Sequence, residues 1–210
     1  MKYIERTDSF DFDHAQIRKF IDPLKDLDTD QEKIRQVYLM VRDGWRYNPY
    51  HISFQREDFR ASTIAERQDG HCIDKAILMV AMLRGVGIPS RLHLAKVTNH
   101  MAVDRLIEKL GSDELAPHGM VDVYHKGAWL KASPTFNKEL CDKFGVDPVD
   151  FDGSADALLQ PYDARGEVFM EYLEDYGHFE DVPYEFILNT FKENYPEMYA
   201  AYKDQGRVRF

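Results

Sequence analysis

Apolar side chains recur at helical spacing through the first half of this chain and then fall into alternation, so helices precede a hairpin. Residues 14–21 and 30–42 read as helices; in the second, Ile34, Val37, Tyr38 and Val41 form one stripe after a Thr29/Asp30 cap, and Gly44 ends it. Trp45 to Ser53 is aromatic and rich in turn-formers, which suits an irregular crossing or a short strand. The most ordered stretch is DGHCIDKAILMVAMLRGVGIPSRLHLAKV. There Ile73, Ala76, Ile77, Val80 and Leu83 share a stripe that Met79 and Met82 widen, which predicts a helix buried on most sides. Asp69 is the expected N-cap, and GVGIP supplies the stop. Arg91 to Val97 alternates imperfectly, as a short strand does; 101–110 reads as a helix and 111–117 as a loop. MVDVYHKGAWLKAS reads as a hairpin turning at Lys126–Gly127.

From residue 138 the pattern changes to short helices and loops, with helices expected at 166–175 and 184–203. No repeat, low-complexity tract or Gly/Ser linker interrupts the chain. The expectation is one domain over 1–210: a helical lead-in (1–29), a core (30–137) and a helical extension packed on it (138–210). Runs of helix followed by a hairpin, without βαβ alternation, make the fold class α+β.

Composition narrows the classes. The 210 residues are 44% apolar and 30% charged, with 13 Phe and 12 Tyr, which excludes a disordered or fibrous chain. The longest apolar run, Ala76 to Leu83, is far too short to span a membrane, and the charged start MKYIERTDSFDFD has no apolar signal core. With 27 Lys+Arg against 37 Asp+Glu and no basic stripe, nucleic acid is not an expected partner. Two cysteines, Cys72 and Cys141, make no disulfide framework, and a reducing cytoplasmic setting is expected.

Chemistry enters at Cys72, in the first turn of the buried helix. Unpaired N–H groups and the partial positive charge there favour a thiolate and can stabilise an oxyanion on an attacked carbonyl. Gly70 leaves room for a substrate beside the thiol. From position alone such a cysteine is more often inert packing. His118, at the start of the hairpin's first strand, changes that weighting, because imidazole can take a proton from a thiol and pass it to a leaving amine. A lone strand-end histidine is more often a surface residue, so the reading rests on the pair.

The segment Gly70-His71-Cys72-Ile73-Asp74-Lys75-Ala76, followed by the apolar helix and Gly87-Ile88-Pro89-Ser90-Arg91, resembles the core motif of the transglutaminase-like superfamily. HGMVDVYHKGAWLKASPTFN resembles its second motif, and the two agree in order and spacing across residues 30–137. The resemblance implies a papain-like fold: a helix bearing Cys72 packed on a small antiparallel sheet bearing His118. It also implies acyl-transfer chemistry on a protein or peptide amide. Members include crosslinkers, peptide N-glycanases, proteases or amidases, and forms without catalysis.

The second motif departs from the family at one position. Its usual Asp-Pro-Thr is here Ser133-Pro134-Thr135, so the third triad position is Ser133. With the turn at Lys126–Gly127, Ser133 lies diagonal to His118 on one face, roughly 7–8 Å away. A hydroxyl can accept the imidazole N–H but cannot offset imidazolium charge as a carboxylate does. Asn137 is a substitute orienter. Asp122 shares the face of His118 but sits about 13 Å along the strand, and Asp150 and Asp152 fall in the extension. Trp45, Tyr47 and Asn48, with Gly70 and His71, are candidates for the substrate groove or oxyanion hole; core packing is the stronger reading for Trp45, and an exposed helix-start position for His71. Cys141 reads as a packed thiol.

The 8 His and 2 Cys form no metal-ligand spacing, no calcium loop or nucleotide motif is present, and no cofactor is implied. The expected function is a cysteine enzyme that forms a thioester acyl-enzyme from a carboxamide or peptide bond. Water resolves that thioester in an amidase or protease, and an amine in a crosslinker. The alternative is a noncatalytic binding or scaffold module that keeps the fold.

Overall fold

The computed structural model describes residues 2–99, 107, 108, 110–159 and 170–209. Helices α1 (Ala15–Ile21) and α2 (Asp30–Gly44) lead into short strands β1 (Arg46–Tyr47) and β2 (His51–Ser53), then α3 (Ala61–Ala65) and β3 (Asp69–Gly70). The central helix α4 (Cys72–Gly85) feeds β4 (Ser90–Asn99), β5 (Glu114–His125) and β6 (Ala128–Ala132). The remainder is α5 (Lys138–Phe144), β7 (Met170–Phe179), α6 (Tyr184–Asn194), α7 (Pro196–Tyr202) and β8 (Arg207–Arg209).

The main sheet is antiparallel in the order β6-β5-β4-β7, with β1 paired to β3 and β2 to β8 in two small ladders. α2 begins as expected: Thr29 and Glu32 form a capping box, two reciprocal bonds that satisfy N–H groups at the helix start. Its stripe of Ile34, Val37, Tyr38 and Val41 is fully buried. Every side chain of α4 from Cys72 to Arg84 is buried, because α2 covers one flank and Leu92, Leu94, Val121 and Val123 of the sheet cover another.

Two close approaches lock this layering. A Cβ on Gly119 would stand 2.7 Å from the Cα of Ile73, so only glycine lets β5 run against the start of α4. Lys75 is fully buried, and its Nζ donates at 2.8 Å to the carbonyls of Arg42, Trp45 and Thr135. Three acceptors match the three N–H donors of an ammonium, although burial draws its pKa down to about 7. That side chain pins the end of α2, the approach to β1 and the segment after β6 to the cysteine helix.

The hairpin turns at Lys126–Gly127 in the expected register, with His125 opposite Ala128 and Val121 opposite Ala132. Three expectations need correction. The stretch read as a loop, 111–117, enters β5 at Glu114. The helix expected at 166–175 falls partly outside the described residues, and from Met170 it is strand β7. Its Glu and Tyr spacing mimics an amphipathic helix, but β4 offers an open edge, and pairing with it satisfies the backbone while charged residues guard the outer side. The extension is therefore more than helical, since it supplies the fourth strand of the main sheet. Of the helix expected at 101–110, residues 101–106 and 109 lie outside the described residues, and Ile107, Glu108 and Leu110 are helical. The 184–203 helix is present but broken at Tyr195, ahead of Pro196. No helix among the described residues is long and apolar enough to cross a membrane.

Candidate active site

The cap of α4 is His71, two residues later than expected. Asp69 is instead held in β3 opposite Arg46. The Nδ1 atom of His71 accepts from the N–H groups of Ile73 at 3.1 Å and Asp74 at 3.2 Å, and the Asp74 carboxylate accepts in return from the His71 N–H. An accepting Nδ1 fixes His71 as the neutral tautomer protonated at Nε2. Burial lowers its pKa in the same sense. His71 is thus buried, not the exposed helix-start residue expected. Gly70 also has a different reason: a Cβ there would stand 2.9 Å from the Cβ of Asp74, so the glycine makes room for the cap and not for substrate.

Cys72 follows as the first residue of α4, 8% exposed. Burial pushes its thiol up to about 11, while the N–H groups of Gly119 and Ile73 pull the other way. His118 immediately precedes Gly119 on β5, so the imidazole and the thiol come from backbone segments in contact. Burial, with the neighbouring His71, holds His118 at about 4. Burial thus opposes charge on both groups, the thiolate and the imidazolium. Both nitrogens of His118 are buried without a hydrogen-bond partner among the described residues. Its ring meets the edge of Tyr172 on β7, centroids 6.3 Å apart.

Neither candidate orienter bonds His118. The Ser133 hydroxyl pairs with Thr135 Oγ1 at 2.9 Å, inside the bend that ends β6, while its carbonyl accepts from Tyr38. Asn137 Oδ1 accepts from the Tyr47 N–H at 3.1 Å and so anchors β1. Asp122 is taken by Arg91 and His93, Asp150 by Arg42, and Asp152 by Gln31 and Ser154.

The proposed groove residues divide. Tyr47 and His71 line a cavity of about 40 Å³ at Cys72. Trp45 does not: it is 3% exposed and packs edge-on against Phe20, a core residue. Asn48 bridges Asp69 and the Tyr50 N–H and faces a separate polar pocket with Arg46 and His51. Cys141 is a buried thiol in a second apolar cluster. The other cavity walls come from segments the motifs do not mark: Pro49 and Ile52, Leu115 on β5, and Phe191 and Tyr195 at the end of α6.

The signature of the Transglutaminase-like superfamily matches residues 18–134, more than half of the chain. The chain belongs to that superfamily. The fold is shared with a crystal structure from Cytophaga hutchinsonii described as a candidate cysteine protease, at TM-score 0.51 and 15% identity, covering 88% of this chain and 48% of that one. The chain thus spans about half the length of that protein. None of the curated proteins matches it.

Proposed function

We propose that the protein is a cysteine amide hydrolase or acyltransferase in which Cys72 is the nucleophile and His118 the proton carrier. The observation that carries this reading is the thiol at the start of α4, opening on a cavity, with a histidine whose two nitrogens no bond among the described residues consumes, one residue before the glycine that touches that helix start. Buried polar atoms normally find partners, and leaving two unpaired is costly unless a reaction uses them. In the reaction, His118 takes the thiol proton and sulfur attacks the carbonyl carbon. Of the N–H groups at the helix start, those of Ile73 and Asp74 already serve His71, which leaves that of Cys72 to the oxyanion. The C–N bond breaks as His118 protonates the departing amine, leaving a thioester. Water or a second amine then attacks it and sulfur recovers its proton.

Turnover of a peptide-amide library tests this. Cys72→Ala should abolish release of amine, and Cys141→Ala should leave it intact; full activity in Cys72→Ala would end the proposal. A second reading, a binding module without chemistry, is favoured by Ser133 in the third position. It requires Cys72 to alkylate slowly, with the pH dependence of Cys141, and to be unaffected by changes at His118.

A further inference from the structure

The walls of the Cys72 cavity carry a statement about what the enzyme acts on, which rests on the nucleophile reading above. Among the described residues, no Asp, Glu, Lys or Arg lines the cavity. Its three residues with polar side-chain heads are Tyr195, His71 and Tyr47. The Tyr195 hydroxyl accepts from the Ala116 N–H at 2.7 Å and donates to the Glu114 carbonyl at 2.8 Å, so that side chain presents its ring. His71 spends Nδ1 on the start of α4. The third, Tyr47, sets its ring edge-on against Phe136. Ile52, Leu115 and Phe191 complete an aliphatic and aromatic surface. The cavity is also small. A water needs about 10–15 Å³ of such space, so 40 Å³ takes about three or four heavy atoms.

We infer that the site selects a peptide acyl residue with a short aliphatic side chain, of the alanine, valine or leucine class, seated between Ile52 and Phe191 beside the Cys72 sulfur. A charged side chain meets no opposite charge among the described wall residues, and a wall made mostly of rings and aliphatic groups penalises its burial and that of an amide. Aromatic ones exceed the space. Phe191 sets this limit from the chain's last quarter: it is 5% exposed and wedged edge-on against Phe54. The C-terminal extension is then part of the substrate site and not a support for it.

The test uses the full chain at pH 9 with peptidyl chloromethyl ketones that differ only in the acyl residue: Ala, Val, Leu, Phe, Gln, Glu or Lys. Labelling of Cys72 is followed by mass spectrometry, with iodoacetamide as the probe that has no side chain. We expect the aliphatic probes to label at least about tenfold faster than the others. Phe191→Ala should raise the rate of the Phe probe about tenfold relative to Val, and Ile52→Ala, at another lining residue, serves should that variant fail to fold. Equal rates across the series, or faster Gln, Glu or Lys probes, with iodoacetamide reacting normally, would overturn this inference and leave the nucleophile reading standing. Native Cys72 that no probe labels, iodoacetamide included, but that labels once unfolded, would overturn both.

Discussion

Two histidines stand on the same face of the sheet, one strand apart, and the molecule treats them in opposite ways. His93 on β4 lies opposite Met120, and His118 on β5 lies opposite Ala95. The Nδ1 of His93 meets Asp122 at 2.9 Å and its Nε2 meets Asp175 at 2.7 Å. Those carboxylates are tied in turn to Arg91 and Lys131. Against burial, which disfavours the charge, they raise its pKa. His118 has no such partner on either nitrogen among the described residues. A histidine with both hydrogen bonds filled is a fastener across β5, β4 and β7. One with neither filled contributes little to stability and remains available for chemistry.

The same substitution at both sites should separate these roles. His118→Leu removes the proton carrier, and turnover should fall about 100- to 10,000-fold. Thermal stability should hold or rise, because two unpaired buried nitrogens disappear. His93→Leu should do the reverse. It strips one partner from the buried Asp122 and should cost about 2–4 kcal/mol by urea unfolding, with turnover per folded molecule little changed. If His118→Leu unfolds the protein and His93→Leu abolishes turnover, the contrast has been drawn the wrong way round.

The asymmetry was only half legible in the sequence. The α4 stripe, the capped α2 and the Lys126–Gly127 turn follow from local spacing, and the folded chain keeps all three. Cys72 and His118 could be named because two motifs bracket one helix. What escaped depends on contacts between distant segments. Nothing near His93 marks Asp175 as its partner, 82 residues on. Tyr195 is held at the cavity by bonds to Ala116 and Glu114 on β5 and Phe191 by its contact with Phe54, all distant in sequence, and β7 has the charge spacing of a surface helix. The third site position was readable as a residue but not as a bond, since a serine beside Pro134 can close a local bend with Thr135 as readily as reach across a strand.

Giving His118 what His93 already has would sharpen the contrast. Ser133→Asp restores a carboxylate two residues before Thr135, and a carboxylate within about 4–6 Å of an imidazole raises its pKa by roughly 1–3 units. The C2-proton shift of His118 by NMR should report that rise, with faster alkylation of Cys72 at neutral pH. An unmoved His118 resonance in a folded Ser133→Asp protein would mean that residue 133 is no longer the third position in this chain.

The smallest expected effect is a pH slope, and its sign identifies the fastener. His93 has a folded pKa above the ordinary 6.5, so the stability it contributes is full below that value and lost as pH rises through the raised one. Asp122 and Asp175 are shifted the other way. Burial opposes their ionisation, but His93 outweighs it together with Arg91 at Asp122, and together with Lys131 and the Gly177 N–H at Asp175. Their share is present above the ordinary 3.8 and lost as pH falls through the lowered values. The network is therefore strongest between the two ordinary values, at mildly acidic pH. His178, opposite His93 on β7, is pushed down by burial and by Arg91, and its contribution runs the other way as pH rises. The informative quantity is thus the difference between wild type and His93→Leu in urea unfolding at pH 5.5 and 8.5. That difference should shrink at the higher pH, and a gap that stays constant would mean His93 holds the strands as a neutral ring.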